Sequence, residues 1–218
     1  MKKIMFSDKF GLTQAVLDGR KTMTRRIIKC PITFRGEWVA GFNIHRSPSD
    51  KKIVGFPCMY DADEREFDMG EILPKYELGE VVAIAQSYSD CGNMPDYGLD
   101  EDGYPIMPKN SGFFNKMFVK ADLMPHHIEI IGIKVERLQD ISDEDCLKEG
   151  IVRQEVISDE SPFLYAYDAF LNGDNKYFAS RWFKNPKEAF AALIDKVSGK
   201  CTWERNPFVF VYEFVLVD

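Results

Sequence analysis

Residues 17–27 read LDGRKTMTRRI and join two segments with different periodicities. The apolar residues between positions 10 and 16 recur at a loosely helical spacing, and Gly19 ends that pattern. From Met23 onward, polar and apolar residues mix in a β-prone run. With the short apolar run at residues 4–6, these patterns predict a strand, a helix, a corner and a second strand.

Four cations crowd this corner: Arg20, Lys21, Arg25 and Arg26. Basic side chains that follow a helix often only cap its last carbonyls and offset its dipole. That explanation suits Arg20 and, in part, Lys21. It does not explain Arg25 and Arg26, because both lie inside the predicted strand. We therefore predict a functional site at the corner.

Composition limits the classes of ligand. The chain has 218 residues, a net charge of −7 and a sequence pI near 5.1. Such an acidic protein is poorly suited to coating duplex DNA, since nonspecific binding depends on releasing counterions from many phosphates. Residues 20–31 nevertheless carry five Lys and Arg side chains and no acid, so a local cationic patch is predicted.

The cysteines and the N-terminus suggest a cytoplasmic protein. The five cysteines are scattered and form no Cys-x-x-Cys pair, which disfavours disulfides and structural zinc. No apolar run is long enough for a signal peptide or a membrane span. We expect no metal, no cofactor and no contact with a membrane.

The remaining patterns predict a single α+β domain over residues 1–218. Apolar strands are expected at residues 78–85, 127–138 and 208–217, with the alternating residues Ile131, Ile133 and Val135 on the core face. Breaker residues predict a hairpin-rich insertion near 31–75 and a long acidic loop near 89–113. A helical segment is expected near 161–198, where apolar residues recur in two groups. The predicted architecture is a small mixed β-barrel surrounded by helices.

A further helix is predicted to begin at Ser142 and to end at Gly150. Ser142 is a favourable N-cap, and three acids follow it in the first turn, where the helix dipole stabilises them. Those acids, Asp143, Glu144 and Asp145, are interpreted as structural. Glu149 is a stronger functional candidate, because an acid in the last turn opposes the dipole.

Several blocks of the chain resemble the ASCH family, whose fold is related to the PUA RNA-binding fold. They read FS at 6–7, AVLDGRKTMTRR at 15–26, LGEVV at 78–82, VERLQDIS at 135–142, EGI at 149–151 and WERNPFV at 203–209. The chain looks most like the longer members found in phages and prophages. This resemblance implies a PUA-like barrel with a cleft between the barrel and its first helix.

The first function that the resemblance implies is binding of single-stranded RNA or of a modified nucleoside. The cations of the corner would meet phosphate, and Trp38, Tyr88 or Trp203 would stack on a base. The candidate binding residues are Arg20, Thr22, Arg25, Arg26, Gln86, Tyr88 and Trp203. Gln86 stands where phage-type relatives usually carry a glutamate, which puts any carboxylate role at that position in doubt.

The second implied function is catalytic. Some small ASCH proteins hydrolyse the amide of N4-acetylcytidine with a lysine, a threonine and a glutamate, which match Lys21, Thr24 and Glu149. Lys21 and Thr24 would lie on opposite faces of a regular strand, so they converge only if the chain bends near Gly19. A third alternative is a phage-encoded module that binds a protein partner. The sequence leaves these three functions open.

Overall fold

The structure is a computed structural model that describes residues 1–93, 99–104, 111–158, 161–168 and 183–217. Its strands are β1 (Lys3–Ile4), β2 (Met23–Ile27), β3 (Thr33–Phe34), β4 (Glu37–Trp38), β5 (Gly41–Asn43), β6 (Cys58–Tyr60), β7 (Glu66–Glu71), β8 (Val81–Ile84), β9 (His127–Arg137), β10 (Val152–Ser158), β11 (Ser161–Asp168) and β12 (Phe208–Leu216). Its α-helices are α1 (Leu12–Leu17), α2 (Tyr88–Cys91), α3 (Asp143–Lys148), α4 (Pro186–Ser198) and α5 (Thr202–Arg205).

The main sheet has five strands in the order β1, β8, β9, β12 and β2. β1 runs parallel to β8, and the other neighbours are antiparallel. The α+β class is thus confirmed, but the predicted closed barrel is not formed: within the described residues, no strand pairing joins β1 to β2. The Arg26 side chain instead bridges these edges by donating from Nη2 to the Met5 carbonyl oxygen at 2.6 Å. We call the gap between β1 and β2 the seam.

A β-bulge breaks the predicted alternation in β9. Opposite β12, Gly132 pairs with Glu213 and Ile130 pairs with Phe214, so Ile131 is the extra residue. Ile130 is fully buried, whereas Ile131 is 47% exposed. The prediction that Ile131 lies on the core face is therefore wrong, because an unpaired residue reverses the alternation of the residues on either side of it.

The segment 31–75 folds into small sheets that cover one end of the main sheet. β3 and β4 form a hairpin, and β5, β6 and β7 form a three-stranded antiparallel sheet. Phe42 contacts Phe208 with ring centroids 6.2 Å apart, and Phe56 contacts Phe210 at 6.0 Å. These edge-on ring contacts anchor the segment to β12.

The predicted helical segment at 161–198 is only partly helical. Residues 161–168 form β11, which pairs antiparallel with β10, and residues 169–182 lie outside the described part of the chain. Aromatic residues recur at every second position from 163 to 167, a pattern that favours a strand over the predicted helix. The helix α4 begins later, where the Asn185 side chain accepts a hydrogen bond from the backbone of Glu188 at 2.8 Å.

The α3 helix begins as predicted, since the Ser142 hydroxyl accepts from the backbone N–H of Asp145 at 3.1 Å. In the acidic segment 89–113, residues 94–98 and 105–110 lie outside the described residues, and residues 99–104 are exposed. None of the described helices is long and apolar enough to cross a membrane. All five cysteines are unpaired.

Candidate functional site

The corner after α1 bends sharply before β2 begins. Gly19 has a φ of +70°, and the backbone N–H of Lys21 donates to the carbonyl oxygen of Ala15 at 2.8 Å. Residues 20–22 therefore lie outside β2, which begins only at Met23. The bend removes the geometric objection to the predicted site, because Lys21 and Thr24 both line one cavity.

This first cavity has a volume of about 390 Å³ and lies at the seam. Its lining comes from the residues after β1, from α1, from the corner, β2 and the residues after it, from the end of α3, and from α4: Met5, Phe6, Ser7, Leu12, Lys21, Thr24, Arg25, Arg26, Ile27, Lys29, Glu149, Phe190, Leu193, Ile194, Val197 and Ser198. The helix α4 supplies an apolar wall, and the corner supplies the polar groups. Such a cavity has the size and the mixed lining of a small-molecule site, which commonly measures about 300–1,000 Å³.

Lys21 is buried in the wall of the cavity and fully hydrogen-bonded. Its side chain is 2% exposed, and Nζ donates to the carbonyl oxygens of Met23 at 2.7 Å and Glu149 at 2.8 Å, and to Glu149 Oε2 at 2.6 Å. Burial lowers the pKa of Lys21, the carboxylate of Glu149 opposes that shift, and the charges of Arg26 and Arg25 add to it. The Lys21 ammonium therefore loses its proton more easily here than it would in water.

Glu149 joins Lys21 to Arg25. Its Oε1 accepts from Arg25 Nη1 at 3.1 Å, while Oε2 accepts from Lys21. Glu149 is the C-cap residue of α3, where a carboxylate opposes the helix dipole. The two buried cations offset that cost, which explains an acid at this helix end.

Arg25 is not placed to bind phosphate, contrary to its predicted role. Its side chain has no exposed surface, and Nη2 contacts Glu136 Oε1 at 2.6 Å and Asp145 Oδ2 at 2.9 Å. Lys134 also pairs with Glu136 at 2.9 Å and lies 3.5 Å from Asp145. Asp145 thus lies in the first turn of α3 and also pairs directly with Arg25, a contact that its position near the helix dipole does not predict.

Thr24 carries a hydroxyl that is available to a ligand. The residue is 5% exposed and lines the first cavity. Its side chain makes no hydrogen bond within the described part of the chain. The hydroxyl oxygen is not one of the fully buried polar atoms that lack a partner in the described residues, so it is open to the cavity and is a candidate to contact a bound molecule.

Of the three other polar residues predicted at the corner, only Arg26 lines the cavity; Arg20 and Thr22 do not. Arg26 lines the cavity and keeps further donors beyond its bond to Met5. Arg20 is exposed, pairs with Asp18 at 3.0 Å and does not line the cavity. Thr22 uses its backbone to join Lys148 and Phe214 and also lies outside the lining.

Gln86 and Tyr88 lie away from the cavity. Tyr88 is 2% exposed in a separate core cluster, and its hydroxyl accepts from the backbone N–H of Lys120 at 2.8 Å. It therefore cannot stack on a base from this position. Gln86 does not line the cavity either, although its Oε1 is buried without a hydrogen-bond partner among the described residues. A glutamate at position 86 would therefore place no carboxylate in this cavity.

The two tryptophans predicted to stack on a base also do not line the cavity. Trp203 packs edge-on against Phe190 with centroids 6.2 Å apart, and Trp38 is exposed on β4. The aromatic rings that do line the cavity belong to Phe6 and Phe190. Phe6 has Lys21 Nζ 5.8 Å from its ring centroid, and the Arg26 guanidinium at the same distance.

Sequence reasoning missed Glu136, Phe6 and the apolar face of α4. Glu136 reaches Arg25 because β12 lies between β2 and β9. Val211 on β12 pairs with Arg25 on one side and with Lys134, two residues before Glu136, on the other. The only local signal was the pair of opposite charges two residues apart on one strand face, at Lys134 and Glu136. That pattern is equally typical of a solvated face.

Comparisons of the chain with models of protein families, with curated proteins and with solved structures found no match. The cavity and the side chains that line it are therefore what indicates the function of this protein.

Proposed function

We propose that the first cavity binds a nucleoside and hydrolyses an amide on its base, as an amidohydrolase for N4-acylated cytidine-type nucleosides. The observation that carries this proposal is that Lys21, Thr24 and Glu149 line a single cavity of about 390 Å³. They are the same three residues to which the resemblance to the ASCH family assigns the reaction.

The distribution of charge favours a small ligand over a long RNA chain. Arg25 lines the cavity but is paired with carboxylates, and Arg20 lies outside the cavity, so two of the four cations predicted to meet phosphate are not available to a ligand there. The apolar wall from α4 suits a base and an acyl group. The alternative is a module that binds the nucleoside without hydrolysing it, and the experiment below distinguishes it from the hydrolase.

The chemistry begins with an activated hydroxyl. Lys21 becomes a neutral amine when it passes a proton to Glu149, whose Oε2 is 2.6 Å from Nζ. The amine then has two N–H groups where the ammonium had three, so one of its present contacts is given up and a lone pair is available. Thr24 lines the same cavity and would donate its proton to that lone pair.

Acyl transfer then follows in two balanced steps. The Thr24 oxygen attacks the carbonyl carbon of the amide, and the Thr24 proton passes to Lys21. The C–N bond breaks as the leaving amine takes that proton, which leaves the acyl group on Thr24 as an ester. Water then attacks the ester with Lys21 again as the base, and this releases the carboxylic acid and restores the Thr24 hydroxyl.

The test is release of cytidine from N4-acetylcytidine, followed by chromatography. We expect turnover by the parent protein and its loss in Thr24→Val, which removes the hydroxyl and keeps the shape. The matched control is Thr33→Val, since Thr33 is exposed on β3 and should keep full turnover.

Variants of Lys21 and Glu149 need a stability measurement beside the assay. Removal of one partner of a buried ion pair costs about 3–5 kcal/mol, so these variants would lose activity partly through unfolding. Thr24→Val is therefore the decisive variant. A folded parent protein that binds N4-acetylcytidine without releasing cytidine would refute catalysis and support the binding module.

A further inference from the structure

A second cavity adjoins the first at the seam. It measures about 380 Å³, and Met5, Arg26, Ile27 and Lys29 line both cavities. Because these residues are shared, a ligand that fills the first cavity can extend past Arg26 into the second. Neither the predicted catalytic residues nor the proposed reaction assigns a role to this second cavity.

The second cavity is strongly cationic. Lys3, Arg26, Lys29 and Lys75 line it, and none of the described residues in its lining is acidic. This concentration of positive charge contrasts with the net charge of −7 of the whole chain. A cluster of cations in a concave, partly apolar space attracts an anion.

The charges of Lys29 and Lys75 are available to such an anion. In the described part of the chain, neither residue has a carboxylate partner, and Lys75 Nζ lies 5.2 Å from the ring centroid of Tyr76 in the same cavity. Lys3 already donates hydrogen bonds to two backbone carbonyl oxygens, so it would attract an anion mainly through its charge and not through free hydrogen-bond donors. Burial lowers the pKa of Lys3 and the charge of Lys75 lowers it further, which indicates repulsion that a bound anion would relieve.

The rest of the lining is apolar and includes three aromatic rings. Tyr76 and Tyr212 pack edge-on with centroids 5.3 Å apart, and Phe210 lies beside Tyr212 at 6.4 Å. The Tyr76 hydroxyl donates to the Lys3 carbonyl oxygen, and the Tyr212 hydroxyl accepts from the backbone of Lys75. The cavity thus has fixed apolar walls with cations at its margin, an arrangement suited to a sugar or base that carries an anionic group.

We propose that the second cavity is a phosphate subsite for the ligand of the first cavity. Phosphate is the anionic group that nucleosides commonly carry, and Arg26, which lines both cavities, has the donor geometry that binds it. The phosphate belongs either to a nucleotide or to the phosphodiester chain of single-stranded RNA. Only the identity of the group in the first cavity depends on the proposed function; the binding of phosphate in the second does not.

The first experiment uses inorganic phosphate as the probe. The parent protein is titrated with sodium phosphate at pH 7 and followed by NMR chemical shifts, with sodium chloride of equal ionic strength as the control. Lys29→Gln and Lys75→Gln should each weaken phosphate binding at least about tenfold, because each removes a charged hydrogen-bond donor. Lys52→Gln is the matched control, since the Lys52 side chain is 82% exposed and lies outside the cavity.

Phosphate shifts that equal those of chloride would overturn the proposal, as would equal weakening in Lys52→Gln. The second experiment compares the affinities of cytidine, cytidine 5′-monophosphate and cytidylyl-(3′→5′)-cytidine. A gain of about tenfold over cytidine that Lys75→Gln abolishes identifies the monoester or the diester as the source. Equal affinities for all three refute the link between the cavities. Neither experiment measures turnover, so a protein that binds phosphate without hydrolysing amides refutes only the proposed function.

Discussion

Replacing Arg25 by Met should strongly destabilise the protein. Arg25 contacts Glu136, Asp145 and Glu149 at 2.6, 2.9 and 3.1 Å, and its side chain has no exposed surface. Arg25→Met keeps an apolar chain of similar length but leaves these carboxylates without their shared cation. Removal of one partner from a buried ion pair costs about 3–5 kcal/mol. For a domain of 150–250 residues, that corresponds to a fall in melting temperature of roughly 6–20 °C.

The pH dependence of this penalty has a definite sign. Burial raises the pKa of Asp145, but the hydrogen bond from Arg25 and the charges of Lys134 and Arg25 outweigh it, so the pKa is lowered. A carboxyl whose pKa is lower in the folded state adds stability above its unfolded pKa. That stability is lost as the pH falls through the lower folded value. Arg25→Met removes this contribution, so the difference in melting temperature between the variant and the parent protein should become smaller below about pH 4.

The assay is thermal unfolding followed by circular dichroism at pH 7 and at several lower pH values. Arg20→Met is the matched control, because Arg20 is 43% exposed and pairs only with Asp18. An exposed pair contributes about 0–1 kcal/mol, so this control should melt close to the parent. The reasoning fails if the two variants melt within about 2 °C of each other at pH 7, or if the gap between Arg25→Met and the parent widens in acid.

Two further predictions concern residues whose roles the structure defines. Ser142→Ala should lower the free energy of unfolding by about 0.5–2 kcal/mol in urea, because the α3 helix loses its N-cap; an unchanged midpoint would contradict this. Tyr88→Phe should cost about 0.5–1.5 kcal/mol, because the partly buried hydrogen bond from the backbone N–H of Lys120 is lost, and should leave the affinity for cytidine unchanged. Loss of affinity without loss of stability would instead restore the stacking role predicted for Tyr88.

Local sequence patterns predicted those elements whose signals are themselves local. The N-cap at Ser142 and the long strands β9 and β12 follow from capping chemistry and from runs of β-prone residues. The bulge at Ile131 could not be found in this way, because it exists only relative to the register of β12. Residues 161–168 were assigned to a helix because Phe163, Ala166 and Phe170 follow a helical spacing; the alternating aromatics and the pairing with β10 favour the strand.

The site shows the same limit more sharply. The bend at Gly19 was inferred from one residue, and it is this bend that allows Lys21 and Thr24 to line one cavity. The enclosure of Arg25 was not predictable, since its partners Glu136 and Asp145 are more than a hundred positions away along the chain. A cation in a sequence does not reveal whether its counterion is a side chain or a ligand.

The adjacent residues Arg25 and Arg26 illustrate this difference: one pairs with carboxylate side chains, and the other is available to a ligand. Side chains alternate along a strand, so Arg25 and Arg26 leave β2 on different sides. Arg25 faces the acids of α3 and β9, where Lys21 and Lys134 complete a network in which three cations meet three carboxylates. That network is close to neutral and attracts no anion. Arg26 instead lies at the seam with Lys29 and lines both cavities. The positive charge available to a ligand is therefore displaced from the proposed catalytic residues toward the second cavity, which is why a phosphate is expected there and not beside Lys21.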